Sequence, residues 1–501
     1  MVRKETSLSE FQAMAEEARA AGKRLVPIWC EMSADHLTPI AVYAAVQPTS
    51  SCSVLLESVT DGQHLGRYSI IALHPLLRVT ITDGAVATKL FQDVAYTGEK
   101  VADPLKRIEA LLRYYSPFTV AGLPPFVGGA IGYVGFEAVR FIEPTVSRAA
   151  NDDLGMPEVD LYIYDTVVVF DHVRQSAFLV TTVPVYESAL EDERMRAFEF
   201  TLPLLRRLKH YLSAPIRPLE PLPSSGPVIS SRTEAEYCQM VELAQEYVTA
   251  GDVFQVVLSQ RFSAAFTGSS LDFYRHLRAL NPAPYMFHVA LDGGATLIGA
   301  SPEVMVHVQG EEIFVRPIAG TRRRGRNAED DQRLAAELAT DPKELAEHRM
   351  LVDLARNDVG WSAVPGSVRV EGEERIERYS TVMHIVTDVR GRRRHDVTAF
   401  QAFMRCLPAG TLSGAPKVRA LEIIAKLEGQ CRGVYGGAVG WFTDTSLDTC
   451  IAIRTALLKE ETLYWSAGGG IVAGSDPAAE YRESLVKAWS IGQVLAEEIV
   501  A

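Results

Sequence analysis

Two pairs of glutamates, Glu344 with Glu347 and Glu480 with Glu483, share a three-residue spacing. On a helix that spacing points both carboxylates of a pair from nearly one face, where they can share a single cation. Each pair follows a helix-start signature. Asp341-Pro342-Lys343-Glu344 supplies a capping aspartate, a proline suited to the first turn and a glutamate placed to complete a capping box. Ser475-Asp476-Pro477 opens the segment carrying Glu480 and Glu483. First-turn acids also complement the helix dipole with no other role, so either pair alone has a purely structural explanation. The second pair has a neighbour that changes this. Ala467-Gly468-Gly469-Gly470 lies between a strand-like stretch, 462–466, and the helix, and a glycine run lets backbone N–H groups converge on an anion. Acids beside such a nest are compatible only with a cation between them, and oxygen ligands of this kind point to magnesium.

Arg454 lies in Ile451-Ala-Ile-Arg-Thr455, which has the apolar, β-branched character of a strand. A guanidinium there needs an anion, and a structural salt bridge and bidentate capture of a substrate carboxylate meet the need equally. His384, in Val382-Met-His-Ile-Val386, is similarly placed; a strand histidine is more often a satisfied core residue than an acid–base catalyst. Two other patterns fail. Gly468-x-Gly470-x-x-Ala473 matches a dinucleotide loop, but only 28 residues follow Ala473, too few for the helix, strand and ribose-binding acid that the motif requires. Gly429-Gln-Cys431-Arg-Gly433 matches a glutamine amidotransferase elbow, yet no histidine follows Cys431 to serve as its base. The chain is therefore not expected to release ammonia from glutamine itself.

These residues must be held by a large body. At 501 residues the chain exceeds one ordinary core, so two domains or one double-layered body are expected. Its 47% hydrophobic and 23% charged residues are those of a soluble globular protein, and no apolar run reaches membrane-spanning length. The N-terminus lacks the apolar core of a signal peptide, and the six cysteines form neither C-x-x-C pairs nor zinc-spaced clusters, so a reduced, cytoplasmic protein is expected. A net charge of −13 argues against nucleic acid and makes any anion site a local construction. The arginine runs at 322–324 and 392–394 read as solvated turns.

The Pro-rich stretch 214–227 carries five prolines and marks the clearest break. It divides residues 1–213 from a linker, 214–232, and a region 233–501 that holds nearly all the candidate chemistry. Helices are expected over 187–212 and 234–250, and strands over 161–170, 252–259, 296–299, 381–389 and 449–458. Gly128-Gly-Ala-Ile-Gly-Tyr133 echoes Gly436-Gly-Ala-Val-Gly-Trp441, as an old duplication would. The expected fold is α+β: two large, mostly antiparallel sheets packed together with helices outside.

Longer strings carry a resemblance. Asp252-Val-Phe-Gln-Val-Val-Leu-Ser259, Asn281-Pro-Ala-Pro-Tyr-Met-Phe287, Gly299-Ala-Ser-Pro-Glu303, Arg316-Pro-Ile-Ala-Gly-Thr-Arg322, 344–360, Ala409-Gly-Thr-Leu-Ser-Gly-Ala-Pro416, Ile451-Ala-Ile-Arg-Thr455 and 467–483 resemble, in order, the chorismate-utilising enzymes, and most closely their anthranilate synthase large subunits. The resemblance implies a four-layer α/β/β/α sandwich. It implies a magnesium-dependent amination of chorismate with loss of water and pyruvate, using ammonia from a separate glutaminase chain in a hetero-oligomer. Glu347 and Glu483 are the implied metal ligands, with Glu344 and Glu480 ordering its waters. Arg454, Tyr435 and the amides of Gly468, Gly469 and Gly470 are implied to hold the enolpyruvyl carboxylate, and Gly320 and Thr321 to line the ring side. Glu303 is the implied acid for the departing hydroxyl, with His384 and Thr411 assisting proton transfer.

Two positions discriminate within the family. Relatives that add water carry a lysine base where this chain has Gln255, and aminodeoxychorismate synthases carry a nucleophilic lysine where it has Ala319. Neither an amide nor a methyl replaces an amine in that chemistry. Leu55-Leu-Glu-Ser58 and Gly66-Arg-Tyr-Ser69 resemble a tryptophan-feedback pocket, with Glu57 and Ser58 joined by Asn281, Pro284, Tyr285 and Met286. The alternatives are another chorismate-aminating enzyme, an aminodeoxychorismate or aminodeoxyisochorismate synthase, and a non-catalytic tryptophan-sensing scaffold for a glutaminase.

Overall fold

Strands of this chain are buried along most of their length: Val159–Tyr164 and Gly129–Val134 are buried at every position. Such strands must be covered on both faces, and the computed structural model accounts for this with two stacked sheets. It describes residues 2–58, 66–91, 96–101, 103–185, 191–211, 218–223, 225–379, 382–495 and 499–500. The expected linker positions 214–217 and 224, and the expected helix positions 187–190 and 212, lie outside the described residues.

The larger sheet runs Val2–Glu5, Leu25–Ser33, Ser176–Pro184, Thr166–Asp171, Tyr68–Leu73, Ser53–Glu57, Tyr285–Ala290, Thr296–Ser301, Thr455–Lys459, Thr462–Ile471, Gln255–Ala265 and Val228–Ser230. The smaller runs Ile318–Arg323, Val382–Arg392, Glu312–Val315, Val304–Gln309, Ser446–Ile451, Ala438–Phe442, Gly129–Val134, Val159–Tyr164, Leu77–Thr82, Ala85–Leu90 and Tyr96–Lys100. Side chains such as Tyr133, Tyr162, Phe287, Leu297, Val439 and Trp441 interdigitate between the sheets. The outer face of the larger sheet packs on Leu8–Ala20, Ser270–Leu280 and Pro477–Leu495, and that of the smaller on Pro104–Tyr115, Pro342–Ser362 and Ala399–Cys406. This is the expected helix–sheet–sheet–helix sandwich.

The echo between the two glycine-rich strings is a pairing. Gly129–Val134 and Ala438–Phe442 lie side by side and antiparallel, with Gly132 opposite Gly440 and Ile131 opposite Trp441. In the larger sheet Ser53–Glu57 meets Tyr285–Ala290 in the same manner. Outward from both seams each half repeats one order: two strands in the larger sheet, a passage through the smaller, and two strands back. The division near residue 214 is therefore a break in sequence across which both sheets are continuous.

Several local expectations change. The stretch 161–170 is two strands, bent at Asp165, and 449–458 is likewise divided, Ser446–Ile451 in the smaller sheet and Thr455–Lys459 in the larger. Each break is where the chain crosses between sheets. Residues 252–254 precede their strand, which starts at Gln255, and Thr381 lies outside the described residues. The run 322–324 is no solvated turn: Arg322 and Arg323 end the edge strand Ile318–Arg323, and Arg324 forms an ion pair with Asp331. Among the described residues no helix is long and apolar enough to cross a membrane.

Candidate active site

The register of the smaller sheet builds the first part of the site. Val304–Gln309 runs antiparallel to Ser446–Ile451, so the start of one strand meets the end of the other, and the Ile451 N–H donates to the Glu303 carbonyl at 3.0 Å. Glu303 and Arg454 thus occupy adjacent crossings between the sheets. Arg454 is not inside a strand, as the sequence led us to expect. It sits in the break before Thr455–Lys459 with φ +49°, a conformation that costs a side-chain-bearing residue free energy. Protein crowds it on most sides, which depresses its pKa, yet its side chain keeps exposed surface.

Glu303 is 9% exposed. Burial raises its pKa to about 8, against the opposing pull of a hydrogen bond from Thr411 (3.1 Å) and the charge of Arg454. At neutral pH it is a protonated acid beside a guanidinium, ready to donate.

His384 comes from Val382–Arg392, paired with Ile318–Arg323 across a bulge between Ala319 and Thr321. Gly320 makes the bulge, with φ +63°, a conformation suited to glycine. The bulge aims the Gly320 carbonyl at His384 Nδ1 (3.0 Å), with Thr321 Oγ1 at 3.1 Å. A carbonyl only accepts, so Nδ1 carries the proton and Nε2 keeps its lone pair. Burial holds the imidazole below its ordinary pKa, and Arg454 adds to this, leaving a neutral base.

The acid pairs converge from two helix starts. Asp341 caps Pro342–Ser362, accepting from the N–H groups of Lys343 and Glu344. The expected capping box is absent because the Glu344 carboxylate accepts from Arg322 instead (3.0 Å). Glu344 also lies against the bulge: a Cβ at Gly320 would stand 3.1 Å from its Oε2. Glu347 accepts from Gln255 Nε2 at 3.3 Å, and Gln255 lies flat on Gly470, where a Cβ would collide with it. On the other helix Glu480 accepts from Ser475 Oγ at 2.7 Å, and a Cβ at Gly469 would stand 3.1 Å from Glu480 Oε2 and 3.7 Å from Glu483 Oε1. Burial raises the Glu480 pKa, and the neighbouring Glu483 charge raises it further. Lys487 bridges Glu483 (2.7 Å) and the Gly468 carbonyl (3.0 Å).

Gly468, Gly469 and Gly470 are not a loop nest. They continue the strand Thr462–Ile471, opposite Ser259, Leu258 and Val257. A Cβ at Gly468 would drive into the Leu258 carbonyl, so close strand approach demands glycine. The partner on the other side begins only at Thr455, with Ala456 opposite Trp465. Beyond that point the strand has a free edge, and in an antiparallel ladder alternate N–H groups point to it. That edge faces the break holding Arg454.

The four carboxylates therefore surround one strand end but are not drawn into a cage: no three acidic, histidine or cysteine side chains among the described residues stand close enough to hold a metal ion. Their charge is shared with Arg322, Gln255 and Lys487. Hard oxygen donors, a like-charge strain at Glu480 and the one- or two-carboxylate habit of magnesium make this donor set suitable for that ion. Cys431 is buried, with its thiol raised in pKa by burial and donating to the Ala149 carbonyl.

The comparisons with known proteins decide the family. Residues 53–493 match the model of the chorismate binding enzymes. Anthranilate synthase component 1 of Pseudomonas putida is 44% identical over 479 residues, 93% of this chain and 94% of that one, and that of Acetivibrio thermocellus is 38% identical over 98% of each. The crystal structure of anthranilate synthase component I from Streptococcus pneumoniae TIGR4 superposes with a TM-score of 0.73 at 34% identity, covering 92% of this chain and 98% of that one. This chain belongs to the chorismate-binding enzymes.

This chorismate-binding enzyme has a second cluster on the helix side of the larger sheet. Glu57 is buried, accepts from the Tyr274 hydroxyl (2.6 Å) and Arg278 Nε (3.1 Å), and lies opposite Met286 in the ladder. Ser58 Oγ is buried without a partner. Pro284 is buried nearby in sequence, and Asn281 ends the Ser270–Leu280 helix with its Nδ2 on the Ser490 carbonyl (2.6 Å). Tyr285 points the other way, into the inter-sheet layer, with its hydroxyl on Asp448. Only its backbone can face this cluster. Tyr274 and Arg278 escaped the sequence reading, although their i, i+4 spacing on an amphipathic helix was a usable signal.

Proposed function

We propose that this chain is the large subunit of anthranilate synthase, converting chorismate and ammonia to anthranilate, pyruvate and water. The observation that carries the reading is the corner where a protonated Glu303 is bonded by Thr411 and feels the charge of Arg454. Chorismate is a dianion with a leaving hydroxyl, and the corner offers an acid to one and a guanidinium to the other. Arg454, with Tyr435 and whichever amides of Gly468, Gly469 and Gly470 point to the free edge, binds the enolpyruvyl carboxylate. Glu303 gives its proton to the 4-hydroxyl as it departs as water, oriented by Thr411. His384, its Nδ1 proton committed to Gly320, presents Nε2 to accept a proton at the ring, whose side is lined by Gly320 and Thr321.

Glu347 and Glu483 would hold magnesium directly, and Glu344 and Glu480 through water. When bound, the ion supplies positive charge to the ring carboxylate and withdraws electrons from the ring. Gln255, an amide spent on Glu347, is no base for activating water, and Ala319 is no nucleophile, so ammonia at carbon 2 is favoured over water addition or a covalent route. The ammonia comes from a separate glutaminase chain, in the cytoplasm. The Glu57 and Ser58 cluster, with Asn281, Pro284, Met286 and the backbone of Tyr285, takes tryptophan as feedback inhibitor; the unpaired Ser58 hydroxyl supports a polar ligand there. A mere sensor would need none of the corner's titratable groups.

The test is incubation with chorismate, a magnesium salt and an ammonium salt, followed by anthranilate fluorescence. Anthranilate at saturating substrate supports the reading. Its absence overturns it, and an accumulating unaromatised amino acid identifies an aminodeoxyisochorismate synthase instead.

A further inference from the structure

Outside the corner, Arg432 is a buried charge whose side chain makes four hydrogen bonds. It is 4% exposed. Its Nε and one terminal nitrogen hold the Glu428 carboxylate in a fork, at 2.9 and 2.6 Å. The remaining donors reach two carbonyls on separate elements: Leu412 at 2.6 Å and Val257 at 2.7 Å. Its guanidinium plane lies over Phe136 (4.4 Å) and over Tyr435 (5.6 Å). Glu428 fastens the same strand again, accepting from Ser259 N–H at 2.7 Å and Oγ at 2.9 Å.

Each contact ends beside a residue that the proposed reaction uses. Leu412 follows Thr411 in the short helix Gly410–Leu412. Val257 lies opposite Gly470 and two residues from Gln255. Tyr435 is touched directly. A neutralising cation for Glu428 needed only one bond; this one spends its planar fork on geometry.

The backbone of Arg432 is held from the first half of the chain. Glu137 accepts the Arg432 N–H at 2.7 Å and the Gly433 N–H at 3.0 Å, and Phe136 N–H donates to the Gly433 carbonyl at 2.8 Å. Phe136 and Glu137 come just past Gly135, which ends Gly129–Val134, the strand at the seam between the two halves.

We infer that Arg432 is a positioning residue that fixes Tyr435, the Thr411 turn and the Gln255 strand relative to one another, and that Glu137 makes this arrangement depend on the N-terminal half. The inference rests on the proposed reaction, and the experiment separates the two. Wild-type protein is first assayed for anthranilate; no product sinks both. With an active wild type, Arg432→Lys retains the charge facing Glu428 and loses the fork. The expected result is a fall in kcat/KM of about 100-fold, since misplacing reacting groups by about an ångström costs that much, equal to that of Arg432→Gln despite the retained charge. Assays are run well below Tm, with far-UV circular dichroism confirming the fold. Wild-type kcat and KM in Arg432→Lys, with only a lowered Tm, would overturn the inference. Should Arg432→Lys not fold, the isosteric Glu137→Gln decides: a fall of about tenfold in kcat/KM supports the coupling, because one of two backbone donors loses its acceptor, and unchanged kinetics refutes it.

Discussion

Replacing Thr411 by valine probes the acid at the corner. The exchange preserves shape and deletes one hydroxyl, which donates to Glu303 Oε1 at 3.1 Å. A hydrogen bond donated to a carboxylate favours the ionised form, so the wild-type Thr411 pulls the Glu303 pKa down from where burial alone would place it, to about 8. Hydrogen bonds to charged groups contribute about 1.5–3 kcal/mol, and about 1.4 kcal/mol corresponds to one pH unit. Removing the hydroxyl should then move the alkaline limb of the kcat/KM profile, where Glu303 loses its proton, upward by about one to two pH units. The measurement is the anthranilate rate across pH 6–11 at saturating magnesium and ammonia, with free ammonia held constant. The rate itself should fall, because Thr411 also orients the acid, but the limb's position does not depend on its height. A limb that stays near its wild-type position, or moves to lower pH, would refute the assignment of Glu303 as the proton donor.

Burial of Glu303 also trades stability for function. Its folded pKa of about 8 lies above the ordinary 4.5, so the folded state holds a proton that the unfolded chain releases. The resulting stability is complete below pH 4.5 and is lost as pH rises toward 8, by about 5 kcal/mol for a gap of about 3.5 pH units. Glu303→Gln should be inactive yet lose far less Tm than wild type between pH 5 and pH 9; parallel Tm curves would contradict this. Charge reversal in Glu347→Lys or Glu483→Lys should abolish turnover with unchanged circular dichroism, whereas retained magnesium-dependent activity would show that other groups hold the ion. Ser58→Phe should fill the space beside the unpaired hydroxyl and relieve tryptophan inhibition, and an unaltered inhibition curve for the purified variant would remove Ser58 from that pocket.

The helix starts at Asp341 and Asp476, most of the strand character of 252–259 and 381–389 and the layered fold were legible because caps and alternation are local properties. What local pattern could not supply was the partner of each charged group. Glu344 looked like a capping-box glutamate, and only the return of Ile318–Arg323 beside its helix gives it Arg322. The triple glycine looked like a loop, since nothing within ten residues reveals the carbonyls of 257–259 pressing against it. Arg454 looked like a strand residue because the apolar string around it serves two different sheets with a bend between. Arg432 gave one local hint, its i, i+4 spacing from Glu428, hidden by the left-handed Gly429 that ends the helix between them.

The internal repeat offers a reason for the proposed chemistry to lie in one half. Each half crosses between the sheets at a corner of the same construction: Leu76 N–H to the Ile163 carbonyl at 2.8 Å in the first, Ile451 N–H to the Glu303 carbonyl at 3.0 Å in the second. In the first half the residues at the two crossings are His74 and Asp165, and between them the smaller sheet admits only the helix Pro104–Tyr115. In the second half the corresponding passage adds Ile318–Arg323, Ala328–Thr340 and Pro342–Ser362, and the strand in the place of Tyr96–Lys100 is lengthened to Val382–Arg392. Those elements bring Gly320, Glu344, Glu347 and His384 to a corner that already had Glu303 and Arg454. A corner alone provides two backbone crossings and a buried acid; a reaction needs a base and a cation site facing it. The first half, lacking the insertion, keeps the cluster around Glu57 and Ser58 and supplies the contacts of Phe136 and Glu137 that hold the Arg432 backbone.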